Sequence, residues 1–180
     1  AFSLGYFVFY AKQILNALQF CHSKQIAHRD IKPDNIFIDQ YNHIKLGDFG
    51  LSKQFIEKKK SNNKCGSLVF FAPEMFKCKE YCPFKTDIWA LGVTFFIMAT
   101  GRHPYKAKSL EDLKSWVLFG SLDYDDCQID PQIRFIINKM TDKNPKLRPS
   151  IDNLLKYPIF SSSFIMKSSL ILCPKKNFYT

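Results

Sequence analysis

The run His28-Arg29-Asp30-Ile31-Lys32-Pro33-Asp34-Asn35 decides how the rest of this 180-residue sequence is interpreted. A second short run, Gly47-Asp48-Phe49-Gly50, follows it along the chain. Together the two runs supply carboxylates, an ammonium group and a carboxamide on two neighbouring loops. These are the groups that can hold magnesium-bound phosphates and accept a proton from a hydroxyl. The pair of loops therefore predicts phosphoryl-transfer chemistry.

The residues between the two runs predict a β-hairpin. Ile36-Phe37-Ile38 and Ile44-Lys45-Leu46 are short strand-like segments, and residues 39–43 join them as a turn. Pro33 argues against a regular helix in the first run. Because a hairpin brings its two ends together, we expect the two motif loops to lie side by side.

The flanking segments are predicted to be mainly helical. Apolar residues recur at helical spacing before the first run, which predicts a core-facing helix that ends near Ser23. Residues 86–100 are apolar on nearly every side and predict a buried helix, which Gly101 would close in a left-handed conformation. Residues 49–72 lose all periodicity and predict a long functional loop.

Shorter helices are expected in the second half of the chain. Residues 73–76 begin one of them, and Ser109, the pair Asp130-Pro131 and Ser150 each offer an N-cap for another. Residues 161–180 are polar and irregular, and we expect them to form a loosely held tail. The predicted fold class is therefore mainly α, or α+β overall, with one small β-hairpin at the functional loops.

The composition excludes several classes of protein. A hydrophobic fraction of 46% with 16% aromatic residues is typical of a packed core and not of a disordered chain. The longest apolar run, residues 88–99, is shorter than the about 20 residues that a membrane span needs. Six cysteines without metal or disulfide spacing favour reduced thiols. We expect an intracellular protein, cytoplasmic or nuclear, with no membrane span.

The chain is basic, with 26 Lys and Arg residues against 16 Asp and Glu residues and a net charge of +10. Part of this charge lies in Lys58-Lys59-Lys60 and at Lys64. Such a run can attract anionic partners, but it is more typical of a solvated loop. No nucleic-acid-binding module accompanies it. We therefore expect no nucleic-acid partner.

Four residues of the two runs are the candidates for chemistry. Asp30 could accept a proton from an attacking hydroxyl, and Lys32 could neutralise the transferred phosphoryl group. Asn35 and Asp48 supply the hard oxygen ligands that Mg²⁺ prefers. A single Asp or Asn in a turn is more often a cap or a turn former. The ordered set, and no single residue, favours the functional interpretation.

The sequence resembles the C-terminal lobe of a eukaryotic protein kinase. The first run is similar to the catalytic loop of that family, and Asp48-Phe49-Gly50 is similar to its magnesium loop. Ala72-Pro73-Glu74 resembles the end of the activation segment, and Asp87-Ile88-Trp89-Ala90-Leu91-Gly92 resembles the helix beneath the active site. The similarity continues through Arg148-Pro149-Ser150 and covers roughly residues 7–160.

The resemblance implies an ATP- and Mg²⁺-dependent kinase that acts on a Ser or Thr of a protein substrate. Lys32 is typical of the serine/threonine branch, and Ser67 stands where the family seats the substrate hydroxyl. The resemblance implies that Phe37 faces the adenine of ATP and that Asn35 and Asp48 bind the metal ion. The implied nucleotide-binding residues are Lys32, Asn35, Phe37 and Asp48. The resemblance further implies that Asp87 accepts hydrogen bonds from the catalytic-loop backbone. It also implies a buried Glu74–Arg148 ion pair.

Within the family, Cys65-Gly66-Ser67 and Thr100-Gly101-Arg102-His103-Pro104-Tyr105 resemble the calmodulin-dependent and AMP-activated kinase group. Asn35-Ile36-Phe37-Ile38 also occurs in NIMA-related kinases, so the group is left open. Leu68 replaces a usual proline and Phe70 a usual tyrosine, which puts peptide preference in doubt.

The usual acceptor of an activating phosphate is missing, because Asn63 replaces the activating threonine. Arg29 is present to receive a phosphate, and Ser61 is the nearest substitute acceptor. We hypothesise that an upstream kinase phosphorylates Ser61 and that the phosphate orders the loop through Arg29.

No Gly-rich phosphate loop, strand lysine or paired helix glutamate precedes the catalytic loop in this sequence. We therefore expect residues 1–160 to be a partial kinase domain without its N-lobe, binding ATP weakly and phosphorylating little by itself. A truncated kinase or pseudokinase that serves as a docking module is the alternative. All four candidate residues, Asp30, Lys32, Asn35 and Asp48, are present, which argues against a pseudokinase. A plain structural helical domain is disfavoured by the density of motifs.

Overall fold

The computed structural model describes residues 1–56, 60–125 and 127–161. The predicted tail lies outside the described residues from residue 162 onward, as do Lys58 and Lys59 of the basic run. The described helices are α1 (Leu4–Ser23), α2 (Pro73–Lys77), α3 (Pro83–Thr100), α4 (Leu110–Phe119), α5 (Pro131–Met140) and α6 (Ile151–Leu155).

Two small antiparallel sheets accompany the helices in the described residues. Strands β2 (Ile36–Ile38) and β3 (Ile44–Leu46) pair with Ile36 opposite Leu46, which confirms the predicted hairpin. Strands β1 (Ile26–Ala27) and β4 (Lys53–Gln54) also pair. The sequence did not predict this second sheet, because two-residue strands are too short to show an alternating pattern.

Helix α3 forms the centre of the core. It begins at Pro83, earlier than the predicted residue 86, because proline is favoured in the first turn of a helix. It ends at Gly101, whose φ of 70° gives the expected left-handed cap. At Gly92 a Cβ atom would lie 2.7 Å from Thr141 Cγ2 and 2.9 Å from Met140 Cβ, so the missing side chain lets α3 pack closely on α5.

The predicted caps of the later helices are present. Ser109 accepts a hydrogen bond from the Asp112 amide, and Asp130 accepts one from the Gln132 amide. Ser150 caps α6 in the same way. The described parts of the predicted loop, residues 49–56 and 60–72, are irregular apart from 3₁₀ turns at Phe49–Leu51 and Leu68–Phe70 and strand β4.

Helix α1 packs against α3, α6 and the hairpin strand β3. The hairpin and the two functional loops therefore rest on a helical base. No helix in the described part of the chain has the length and apolar character needed to cross a membrane.

Candidate active site

Asp30 lies at the centre of a dense hydrogen-bond network. Its side chain is 7% exposed. Oδ2 accepts hydrogen bonds from Lys32 Nζ at 2.8 Å and from Asn35 Nδ2 at 3.1 Å. Oδ1 accepts hydrogen bonds from the Ser67 amide at 3.0 Å and from Ser67 Oγ at 3.2 Å. Both carboxylate oxygens are therefore fixed in direction.

This network sets the protonation state of Asp30. Burial by itself raises the pKa of the carboxyl group, but the hydrogen bonds and charge of Lys32 and the hydrogen bonds of Ser67 outweigh it. The net pKa lies below its ordinary value of 3.8. Asp30 is therefore an ionised acceptor at neutral pH, as a general base must be.

Lys32 and Ser67 complete the predicted catalytic group. Lys32 Nζ donates a hydrogen bond to Ser67 Oγ at 2.9 Å as well as to Asp30. Because the Ser67 hydroxyl accepts from the ammonium group, its own proton is directed at Asp30 Oδ1. The structure thus brings together three residues, Asp30, Lys32 and Ser67, from two loops that are far apart in sequence.

Asp87 at the buried start of α3 holds the backbone of the catalytic loop. Its carboxylate accepts hydrogen bonds from the amides of His28 at 2.9 Å and Arg29 at 2.8 Å. It also contacts His22 Nε2 at 2.9 Å. Arg29 has a φ of 69°, which is unfavourable for a residue with a side chain. The hydrogen bonds from the His28 and Arg29 amides to Asp87 hold the backbone in this conformation. The role implied for Asp87 is confirmed.

The predicted magnesium loop, residues 47–50, lies directly beside the predicted catalytic loop, residues 28–35. The Gly47 amide donates to the Asn35 carbonyl at 2.9 Å, and the His28 ring contacts the Gly47 carbonyl through Nε2 at 2.9 Å. His28 Nδ1 accepts a hydrogen bond from the Asp30 amide, so Nε2 carries the proton and donates it. His28 therefore joins the two loops, and the hairpin brings them together as predicted.

The oxygen atoms at the meeting point of these loops suit a hard divalent cation. Asn35 uses Nδ2 for Asp30, which leaves Oδ1 as a remaining acceptor. Asp48 is exposed, and only its Oδ1 accepts from the Gly50 amide within the described residues. One amide oxygen and one carboxylate are the ligand types that Mg²⁺ takes when phosphates complete its shell. The residues present fit the ion.

Phe37 lies on β2 next to this meeting point and is 56% exposed. Its ring covers Gly47, where a Cβ atom would lie only 2.6 Å from Phe37 Cε2. The structure therefore presents a bare aromatic face beside the predicted metal ligands. Its contact with adenine stays a prediction.

The comparison with known proteins identifies the family. Residues 1–160 match the family model of the protein kinase domain. The chain belongs to the protein kinase family. It is 37% identical to sperm motility kinase 2B of Mus musculus over 147 aligned residues, which make up 82% of this chain and 30% of that protein. It is 32% identical over 151 residues to CBL-interacting protein kinase 29 of Oryza sativa subsp. japonica, covering 84% of this chain and 34% of that protein. The chain thus spans about a third of the length of these relatives.

The buried ion pair implied by the resemblance is present in this kinase domain. Arg148 NH1 and NH2 each lie 2.7 Å from an oxygen of Glu74.

The two residues that depart from the family pattern after Ser67 differ in burial: Leu68 is 45% exposed and Phe70 is buried. The effect of these two departures on peptide preference stays a prediction.

That Ser61 accepts an activating phosphate stays a prediction. Ser61 is buried, and its hydroxyl lies within hydrogen-bond distance of the Asn63 backbone. Arg29 donates through Nε to the Leu51 carbonyl at 2.6 Å. An upstream kinase would have to open this part of the kinase domain before it could reach the Ser61 hydroxyl.

Three residues near the site, His22, Gly66 and Tyr81, had no role predicted for them, although Gly66 lies in the motif Cys65-Gly66-Ser67. His22 lies in the last turn of α1, where a polar ring at the end of an apolar stripe could have indicated its contact with Asp87. Gly66 has a φ of 102°, and a Cβ there would lie 2.5 Å from the Arg29 carbonyl oxygen, so the loop contact requires glycine. Tyr81 belongs to no motif.

Proposed function

We propose that this chain is the larger, C-terminal lobe of an ATP- and Mg²⁺-dependent serine/threonine protein kinase. The observation that carries the proposal is the ionised Asp30 carboxylate, which Lys32 and Ser67 hold in one fixed direction. Phosphoryl transfer needs positioning and charge stabilisation more than covalent chemistry, and this network supplies both. The reaction would move the γ-phosphoryl group of ATP to a Ser or Thr hydroxyl of a protein substrate.

Each residue has a defined task in this proposal. Asp30 accepts the proton of the attacking hydroxyl, because its pKa leaves it ionised. Lys32 keeps the carboxylate and Ser67 in register and places a positive charge where negative charge passes. Ser67 offers a hydroxyl group next to Asp30 that helps seat the substrate. The contact between Lys32 and Ser67 favours the serine/threonine branch of the family.

The nucleotide residues are Lys32, Asn35, Phe37 and Asp48. Asn35 and Asp48 would hold Mg²⁺ through Asn35 Oδ1 and the Asp48 carboxylate. Mg²⁺ held by these residues would supply positive charge against the phosphate groups of ATP. The Phe37 ring would cover one face of the adenine. The motifs around Ser67 and Gly101 support a place in the calmodulin-dependent and AMP-activated kinase group.

The test is transfer of labelled phosphate from ATP to degenerate peptides that carry Ser, Thr or Tyr as the acceptor, with the full-length protein as the enzyme. We expect labelling of Ser and Thr peptides only. Asp30→Asn should lower kcat by about 10²- to 10⁴-fold, which is the usual contribution of a general base. Asp152→Asn is the matched control, because Asp152 lies on α6 and pairs with Gln19.

Two outcomes would overturn the proposal. Labelling that Asp30→Asn and Asp152→Asn leave equally unchanged would show that Asp30 is not the base. Tight nucleotide binding without any transfer would favour the non-catalytic docking module instead.

A further inference from the structure

Tyr81 connects residues 61–63, in the segment that leads to Ser67, to the helical base of the domain. It lies just before α3 and is 5% exposed. Its backbone pairs with Ser61 in both directions: the Ser61 amide donates to the Tyr81 carbonyl at 2.8 Å, and the Tyr81 amide donates to the Ser61 carbonyl at 2.9 Å. Its phenol donates to the Asn63 carbonyl at 2.6 Å. A single residue thus makes three hydrogen bonds to this segment.

The contacted segment leads directly into the active site. Four residues after Asn63, the amide and hydroxyl of Ser67 both bond Asp30. Between them Gly66 presses against the Arg29 carbonyl and admits no side chain. Tyr81 also lines a small cavity together with Asp30, Gly66 and Ser67, so its ring lies at the junction of the two loops. Movement of the segment at Asn63 would be transmitted to Ser67.

These contacts use neutral groups. The phenol and the backbone amides carry no charge, and a buried neutral hydrogen bond of normal length contributes to order without any added phosphate. Burial raises the pKa of the Tyr81 phenol, so the hydroxyl keeps its proton and remains a donor at neutral pH.

We propose that Tyr81 is a positioning residue for phosphoryl transfer, which fastens residues 61–63 so that Ser67 stays on Asp30 without phosphorylation of the segment. This inference rests on the proposed function for its kinetic consequence. Its structural consequence, the order of residues 61–67, can be measured without any catalysis.

The experiment compares Tyr81→Phe with Tyr124→Phe in the full-length protein. Each change removes one hydroxyl and keeps the ring. Tyr124 donates to Asn138 Oδ1 at 2.7 Å, so the control loses a bond of similar length that leads to α5 and not to Ser67. Amide hydrogen exchange of residues 61–67 is measured in both variants, together with the melting temperature, kcat and the KM values for ATP and peptide.

We expect Tyr81→Phe to speed exchange in residues 61–67 by about five- to tenfold, the size of one net hydrogen bond. Its kcat should fall several-fold while the KM for ATP and the melting temperature match those of Tyr124→Phe. Pretreatment of the wild type with a phosphatase should leave kcat unchanged.

Exchange in residues 61–67 that is equal in the two variants would overturn the inference, and so would loss of activity after phosphatase treatment. If the wild type labels no peptide, the proposed function fails separately, and the exchange rates still decide whether Tyr81 fastens the segment.

Discussion

Arg148 donates hydrogen bonds to Glu74 through both terminal nitrogens of its guanidinium group, each 2.7 Å from a carboxylate oxygen. The Arg148 side chain is buried, with 1% of its surface exposed. The same guanidinium donates to the Asp142 carbonyl at 2.8 Å and the Lys85 carbonyl at 2.9 Å. It also lies 4.9 Å from the centre of the Trp89 ring. One buried cation therefore ties the end of the activation segment to α3 and to the loop after α5.

Breaking this pair on one side should strongly destabilise the domain. Glu74→Ala leaves the Arg148 charge buried without its partner, and we expect it to lower the free energy of unfolding by about 3–5 kcal/mol. Equilibrium denaturation measures the change. The double variant Glu74→Met with Arg148→Met should lose less stability than the sum of the losses in Glu74→Met and Arg148→Met measured separately, because neither charge is left unpaired in it. Strict additivity would show that the two residues act independently.

Ser67 should be replaceable by threonine but not by alanine. Its hydroxyl accepts from Lys32 at 2.9 Å and donates to Asp30 at 3.2 Å, and threonine keeps a hydroxyl at the same position. We expect Ser67→Ala to lower kcat about tenfold, the cost of losing contacts to charged groups. Ser67→Thr should stay within about twofold of the wild type. Steady-state kinetics with a peptide substrate measures both, and equal loss in the two variants would contradict the role of the hydroxyl.

Gly66→Ala should damage the active site and not only the stability of the domain. The φ of 102° strains any side-chain-bearing residue, and the new Cβ would lie 2.5 Å from the Arg29 carbonyl oxygen. The strain is worth about 1–3 kcal/mol and falls on the peptide next to Asp30. We expect kcat to fall along with stability. Gly120→Ala, which would strain α4 against Trp116 instead, is the control that should lower stability while leaving kcat intact.

The hairpin and the long helices could be predicted from sequence because their signals are local. The strand pattern of β2 and β3, the apolar run of α3 and the cap residues all depend on neighbours in the chain. The hairpin between the two motifs likewise predicted that their loops would lie side by side, which the contacts of Gly47 with Asn35 and His28 confirm.

The remaining features depend on contacts between distant segments, which a single sequence does not show. Three of these features join residues far apart in sequence: the Tyr81–Ser61 bridge, the His22–Asp87 contact and the β1–β4 sheet. Each uses backbone groups or one polar side chain and leaves no periodic pattern. For the same reason the burial of Ser61 became visible only in the structure.

Lys143 should make the stability of the domain depend on pH in the alkaline range. Its ammonium group lies 5.2 Å from the centre of the Trp89 ring and donates to the Val117 carbonyl at 2.6 Å. Desolvation, followed by the nearby charges of Arg148 and Lys77, lowers its pKa from 10.5 to about 8. In the unfolded chain the pKa returns to its ordinary value.

Between about pH 8 and 10.5 the unfolded chain therefore keeps a proton that the folded domain has released, so stability gains a contribution as pH rises through this window. The contribution is lost again as pH falls through about 8. Lys143→Met cannot titrate, so the free energy of unfolding of the wild type minus that of the variant should increase from pH 7 to pH 10. Urea denaturation at several pH values measures this difference. A flat difference would show that the Lys143 ammonium group is not desolvated in the folded domain.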